Sequence, residues 1–270
     1  MQLSGLVDSH LHLTDYEPGT DIGALLEQAA AAGVSHLVCN GTSEEDWSTV
    51  LELAQAHSQV IPCLGLHPWF VTRRSENWSA ILEEYIHRVP CGIGEIGLDR
   101  LAEPFDAPAQ EEAFRIQLAL ARKYKRPAMV HCVRAWGWLM DILRSEPELP
   151  CGMLIHAYGG SADLIKPLAD IGAYFSFSAT VLDENYQRSR KALSAVPLDR
   201  LLIETDAPNM LPVQEHRRYS ISSNGKEYNH PANLPLILEG IAHLLGQSPE
   251  TLKETLWQNS QRFFRPILIL

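Results

Sequence analysis

The chain has 270 residues, 46% of them hydrophobic and 20% charged, a balance ordinary for a globular protein long enough to bury a large core. A formal net charge of -11 excludes a protein that grips nucleic acid mainly through a basic surface. It does not exclude an enzyme whose bound cations supply positive charge locally. The five cysteines show no C-x-x-C spacing, which argues against a disulfide framework or a zinc ribbon.

Apolar, β-branched runs alternate with helical patterns along the chain. The first strand is expected over residues 6–13, followed by a helix over 22–32 that Gly33 stops. A second strand over 36–40 leads to a helix over 44–57 with Ser43 as its N-cap. Strands over 60–66 and 92–98 flank a helix over 76–88, and a proline-containing loop precedes a long amphipathic helix over 109–124. Strands follow at 128–132, 153–156, 173–177 and 201–205, with helices at 136–144, 162–170 and 184–196 between them. A polar segment, 209–229, precedes two closing helices, 235–245 and 249–263, the second opened by Ser248 and Pro249. Cys39, Cys63, Cys91 and Cys132 fall in the apolar strand runs and read as small core residues of a reducing compartment. The tail Ile267-Leu268-Ile269-Leu270 is apolar and is expected to dock on the outside of the fold.

Eight strands alternating with helices predict a parallel sheet covered by helices. In this length that is an α/β protein of the (β/α)8 TIM-barrel type, read as one domain over 1–270. A doubly wound open sheet would carry a glycine-rich phosphate loop after its first strand, where this chain has His10-Leu11-His12-Leu13. No apolar run approaches the ~20 residues of a membrane span. Asp8, His10 and His12 interrupt the segment where a cleavable leader would lie, so a cytoplasmic location is expected.

In such a barrel, chemistry collects at the C-terminal ends of the strands. Reading those ends in order gives His10 and His12, then His67, Glu95, His131, His156 and Asp206. On a regular first strand, Asp8, His10 and His12 would share one face, with Val7, Ser9, Leu11 and Leu13 on the other. So many imidazoles and carboxylates exceed the needs of one tetrahedral ion with an open position. They suit two divalent ions that activate a water and clamp the oxygens of an in-line displacement. Nitrogen and oxygen donors without thiolate point first to Zn, with Mn, Co or Fe possible, while a pure Mg site would use more oxygen. Gly92, Gly94 and Gly97 around Glu95 serve either close backbone approach at the site or helix packing on the barrel.

The stretches Asp8-Ser9-His10-Leu11-His12, Gly65-Leu66-His67-Pro68 and Gly94-Glu95-Ile96-Gly97-Leu98-Asp99, with His131, His156 and Glu204-Thr205-Asp206-Ala207-Pro208, span nearly the whole chain in order. Together they resemble the TatD family of metal-dependent deoxyribonucleases, soluble hydrolases with an amidohydrolase-type barrel. The resemblance implies cleavage of phosphodiester bonds in DNA, with two divalent metal ions per subunit. It implies that His10, His12 and Asp206 hold one ion, that His131 and His156 hold the other, and that Glu95 bridges them. Asp206 would take the proton of the attacking water, and His67, with Arg134, would face the substrate phosphate. Three positions depart from the family pattern: Val133 where many members have arginine, with Arg134 next; His156-Ala157-Tyr158 where His-Cys-Phe is frequent; and Asn229-His230-Pro231 where Asn-Glu-Pro is frequent. These bear on phosphate grip and substrate choice, not on metal ligation. Within the 209–229 segment, Arg217, Arg218, Tyr219 and Lys226 are either backbone contacts or solvated residues.

The rival readings are an amidohydrolase-like enzyme acting on a small amide, lactone or phosphoester, which the acidic balance favours, and a non-catalytic metal-binding protein. No membrane and no obligate protein partner is expected in any of them; the partner of the nuclease reading is DNA or a small phosphodiester.

Overall fold

A computed structural model describes residues 5–268 of the chain. Among these, eight strands form one parallel sheet in sequential order: β1 (Leu6–Leu11), β2 (Val34–Asn40), β3 (Val60–Leu64), β4 (Gly92–Asp99), β5 (Ala128–Val133), β6 (Met153–Ile155), β7 (Ala173–Phe177) and β8 (Leu201–Ile203). Helices α1 (Ile22–Ala31), α2 (Trp47–Ala56), α3 (Trp78–Arg88), α4 (Ala107–Tyr124), α5 (Trp136–Ser145), α6 (Ile165–Asp170) and α7 (Gln187–Ala195) fall between them, and α8 (Leu234–Leu245) and α9 (Pro249–Phe264) follow. The seam from β8 back to β1 is closed just beyond β8, where the Asp206 N–H donates to His10 O at 3.1 Å and the His12 N–H donates to Ala207 O at 2.8 Å. The result is the expected (β/α)8 barrel. No helix among the described residues is long and apolar enough to cross a membrane.

Element ends follow local chemistry. Gly33, at φ +94°, takes the positive dihedral that ends α1 at little steric cost. Asp106 accepts from the Ala109 N–H, with Pro108 in the first turn of α4, and Ser248 accepts from the Thr251 N–H with Pro249 at the start of α9. The start of α2 differs from expectation. Asp46, not Ser43, organises it: its carboxylate accepts from the backbone N–H groups of Thr42 and Ser43 and from the Thr42 hydroxyl. This ties residues 42–45 into a turn and delays the helix to Trp47.

Two apolar layers result. Outward strand residues such as Leu11, Leu37, Leu64, Ile96, Val130, Ile155 and Phe175 pack against the helices. A second cluster fills the barrel at the N-terminal ends of its strands: Val7, Val38, Ile61, Met129, Leu154, Tyr174 and Leu202, closed from below by Phe263, Phe264 and Ile267. The apolar tail therefore plugs the barrel floor instead of lying on its outside, because the open end of the barrel exposes a ring of inward apolar side chains; Ile269 and Leu270 lie outside the described residues. The four cysteines of the strand runs are buried and unpaired.

Regular alternation fails in two strands. Register shifts fall between Asp8 and Leu11 on β1 and between Ile93 and Ile96 on β4. On β1 the shift places Val7 in the interior with His10 and His12, although a regular strand would put it on the opposite face. Asp8 is freed to turn toward β8, accepting from the Thr205 N–H at 2.9 Å and the Thr205 hydroxyl at 2.5 Å. On β4 both Gly94 and Glu95 face inward, while Ile93 and Ile96 face the helices.

Candidate metal centre

Seven side chains named from the sequence meet at the C-terminal mouth of the barrel, and Glu95 is at their middle. Its Oε2 lies 3.3 Å from His10 Nε2 and 3.1 Å from His12 Nε2. Its Oε1 lies 2.8 Å from both His131 Nδ1 and His156 Nε2, and 3.3 Å from His67 Nε2. One carboxylate thus offers each of its oxygens to a separate pair of imidazoles. Asp206 Oδ1 approaches the first pair, 3.6 Å from His12 Nε2 and 3.9 Å from His10 Nε2.

What stands behind each ring determines its tautomer. His12 Nδ1 faces the Asn40 carbonyl at 3.0 Å, so it carries the proton and Nε2 presents a bare lone pair. His131 Nε2 faces Asp99 Oδ2 at 3.3 Å, which turns its unprotonated Nδ1 toward Glu95. His156 Nδ1 stands 3.6 Å from Glu204 Oε1, without a hydrogen bond, and its Nε2 faces Glu95. His67 is set the other way. Its Nδ1 accepts from the Trp69 N–H at 3.2 Å, which puts the proton on Nε2, 3.3 Å from Glu95 Oε1, although its place would also let it join Glu95 and His131 around an ion.

Bare acceptors therefore converge on bare acceptors. His10 Nε2 and His12 Nε2 are 3.1 Å apart, and His131 Nδ1 and His156 Nε2 are 3.2 Å apart. Asp206 Oδ1 and His10 Nδ1 are buried with no hydrogen-bond partner, a state that proteins rarely leave uncompensated. A cation at each cluster would satisfy the facing imidazole nitrogens and Asp206 Oδ1, while His10 Nδ1, on the other side of its ring from Nε2, would not be reached. The donor set fits divalent ions, and His10, His12 and Glu95 lie close enough together to hold one.

The electrostatics of the site divide the histidines. Burial opposes a charged Glu95, yet the imidazoles of His156, His67 and His10 outweigh it and hold the carboxyl well below the usual carboxylate range. Burial pushes Asp206 up to about 7, partly offset by His12 and His156. Burial, reinforced by His156, pushes His10 down to about 3, and burial takes His67 down to about 4. Against the same burial, Glu95 and Glu204 hold His156 well above the ordinary histidine range. Against burial, Glu95 and Asp206 also lift His12 to about 9, so without a cation these rings hold protons that an ion would displace, its ligands being anionic oxygens and neutral imidazoles.

Local backbone geometry aims these groups. Asp206 at φ 52°, Ala157 at φ 41° and Arg134 at φ 52° adopt the left-handed region, each in the turn leaving its strand, at a cost of about 1–3 kcal/mol apiece. Gly97, at φ +144°, brings β4 onto β5 so closely that a Cβ would stand 2.0 Å from the His131 carbonyl oxygen. A Cβ on Gly94 would stand 2.4 Å from Met129 Cβ, and one on Gly92 would meet Met129 and Cys63. These glycines answer to crowding inside the barrel and not to helix packing.

Some residues of the site lay within the sequence stretches without a role. Glu204 is buried, accepts from the Ala157 N–H at 2.7 Å and the Ser176 hydroxyl, and backs His156. Its inward position follows from Leu202 by strand alternation. Asp99 backs His131 and accepts from the Trp69 indole N–H at 2.7 Å. Arg134 is not gathered into the site: it is exposed and absent from the cavity lining. The cavity, of about 510 Å³, is lined by His12, His67, Glu95, Asp99, His131, His156 and Asp206 together with Trp69, Phe70, Leu101 and Met210, among others, and by no lysine or arginine among the described residues. Within the 209–229 segment, Asn209 and Met210 reach the cavity. Residues Ile221–Ser223 and Lys226–Tyr228 form a small antiparallel hairpin, β9 and β10. Arg217 is tied to Glu227 at 2.8 Å, and Lys226 lies over the Tyr228 ring. Asn229 is a buried strut, donating to the Thr205 and Met210 carbonyls.

A carboxylate shared by two imidazole clusters, at the mouth of a (β/α)8 barrel, defines a metal-dependent hydrolase. The profile of the TatD-related DNase family matches residues 7–265, and the chain belongs to that family. It is 32% identical to the 3'-5' ssDNA/RNA exonuclease TatD of Edwardsiella piscicida, over 96% of this chain and 99% of that protein. It is 33% identical to the uncharacterized metal-dependent hydrolase YcfH of Escherichia coli K12, over 96% of this chain and 95% of that one. The crystal structure of the TatD homologue YjjV from Escherichia coli K12 superposes with a TM-score of 0.84 at 26% identity, covering 96% of this chain and 98% of that one.

Proposed function

We propose that this chain is a single catalytic barrel that uses two divalent ions, zinc before Mn, Co, Fe or Mg, to hydrolyse phosphodiester bonds of single-stranded nucleic acid. The observation that carries this is Glu95, one buried carboxylate whose two oxygens each meet a separate set of bare imidazole nitrogens. The relative named as a single-strand exonuclease supports the choice of substrate. His10, His12 and Asp206 would hold one ion, His131 and His156 the other, and Glu95 would bridge. When bound, such ions supply the acidification of a water and positive charge against the phosphoryl oxygens.

The chain's own groups supply the rest. Asp206 Oδ1 points into the cavity without a partner and is placed to accept the proton of the attacking water. The His67 Nε2–H is placed to donate to a non-bridging phosphoryl oxygen, which strengthens as charge develops there. Asp99 and Glu204 hold the ligand tautomers of His131 and His156. We assign the phosphate contact to His67 alone, since Arg134 stands outside the cavity.

The test is product analysis on end-labelled single-stranded DNA and RNA, comparing Mn²⁺, Zn²⁺ and Mg²⁺. Stepwise shortening from one end supports the reading, and intact nucleic acid with every metal sinks it. A second reading, hydrolysis of a small phosphoester or lactone, is favoured by the acidic net charge and the lining without lysine or arginine. Turnover of such compounds with no action on nucleic acid would establish it instead.

A further inference from the structure

The aromatic ring at the cavity mouth has no role in the ligand set. Trp69 lies in the loop after β3 and is 53% exposed, unusual for the side chain with the most apolar surface to hide. It is nevertheless held firmly. Its indole N–H donates to the buried Asp99 at 2.7 Å, its backbone N–H donates to His67 at 3.2 Å, and its ring stands edge-on to His67, centroids 5.0 Å apart at 85°. Leu101, 52% exposed, lines the same cavity, with Phe70 and Met210.

We propose that Trp69 is the stacking platform for one unpaired nucleobase of the substrate, the base beside the scissile phosphate. The inference deepens the nuclease reading and rests on it. Three observations commit the platform to a base. The indole N–H is consumed inward by Asp99, so what remains is a ring face, which recognises by stacking and tolerates any base. The cavity lining has no lysine or arginine among the described residues, so no cationic side chain there grips the nucleic-acid backbone, and the exposed apolar ring is the largest surface left to hold the substrate. The Trp69 ring adjoins His67, the donor assigned to the phosphate, as a base adjoins the phosphate of its own nucleotide. A paired base already has both faces covered by its neighbours, so the platform selects single strands.

The experiment compares kcat/KM of the wild type, Trp69→Ala and Trp69→Phe, with Mn²⁺, on two oligomers of equal length. One is single-stranded oligothymidylate and the other carries abasic tetrahydrofuran units on the same phosphodiester backbone. Trp69→Ala is expected to lose about 10- to 100-fold more on oligothymidylate than on the abasic oligomer, where only the loss of its bond to Asp99 is felt. Trp69→Phe, which keeps a ring but no N–H, should retain most of the activity on oligothymidylate. The abasic arm also reports that each variant is folded. Equal losses on both oligomers, a Trp69→Phe variant as poor as Trp69→Ala, or full activity of Trp69→Ala on oligothymidylate would each overturn the proposal, the second by assigning Trp69's role to its bond with Asp99. A wild type that cleaves neither oligomer with Mn²⁺, Zn²⁺ or Mg²⁺ would overturn the nuclease reading itself. A wild type that cleaves both, with Trp69→Ala unchanged, would leave that reading standing and remove only the platform.

Discussion

An imidazole becomes a cation ligand or a hydrogen-bond donor according to the group at its back. In this barrel that rule separates His12, His131 and His156, each backed by an acceptor, from His67, backed by a donor. It gives the buried carboxylates distinct tasks. Glu95→Gln keeps the shape of the bridge but removes its charge, and should lower kcat by at least about a thousandfold while the circular dichroism spectrum is retained, a loss on the scale of removing a group aimed at transition-state charge. Near-normal turnover in that variant would remove Glu95 from the chemistry. Glu204 does not itself line the cavity, and Glu204→Gln should act through His156. We expect metal affinity, measured by competition with a chromophoric chelator, to fall about 10- to 100-fold, with activity recovering at high metal. The candidate ligand histidines could be read from the sequence because each stands at the end of an apolar strand run. Glu204 and Asp99 could not be assigned roles, because backing a ring is a matter of which side chains share a cavity wall, and strand position alone does not reveal it.

At the scale of elements, the irregular strands matter most. The alternation of apolar runs and helical patterns places every strand of the barrel, since each strand must be apolar on both faces when helices cover it and a packed interior fills it. Phase within β1 and β4 was not legible in that pattern, because one extra residue in a strand exchanges its faces. The β4 irregularity points Glu95 inward next to Gly94, and Gly97 allows β5 to carry His131 up beside it. Gly97→Ala adds a methyl 2.0 Å from the His131 carbonyl in a dihedral that suits glycine. It should destabilise the fold by about 1–3 kcal/mol in urea titration and should also weaken metal binding, whereas an alanine at the open Gly137 should do neither. Equal metal affinity in Gly97→Ala and the wild type would show that the β4–β5 approach does not set the His131 position. The start of α2 was misplaced for a related reason: Ser43 and Asp46 are both good caps, and the contest between them is decided by three donors from Thr42 and Ser43 that only Asp46 reaches.

For the whole molecule, the barrel has a polar mouth and an apolar floor, and α9 supplies the floor's last layer. Phe264 is fully buried against inward residues of the strands, and Phe264→Ala should cost about 3–5 kcal/mol, read as a lower urea midpoint with an unchanged slope. A variant as stable as the wild type would show that the floor closes without it. The seam has a consequence at the same scale. Asp8 and Thr205 join across it although 197 positions separate them, and His10 and His12 face Asp206 across the same line. An ion gripped from both sides would be a removable staple, closing a loop nearly as long as the barrel. Because the unfolded chain does not assemble this ligand set, the ion would stabilise the folded barrel in proportion to the logarithm of its concentration over its dissociation constant. Added Mn²⁺ should therefore raise Tm with increasing concentration in the wild type, and the rise should be much smaller in Asp206→Ala, where one jaw is missing. An equal rise in both would place the ion elsewhere. Chelation would then do more than stop turnover: it would leave the seam to its hydrogen bonds alone, and in a cell the supply of metal would govern how long the protein lasts as well as how fast it works.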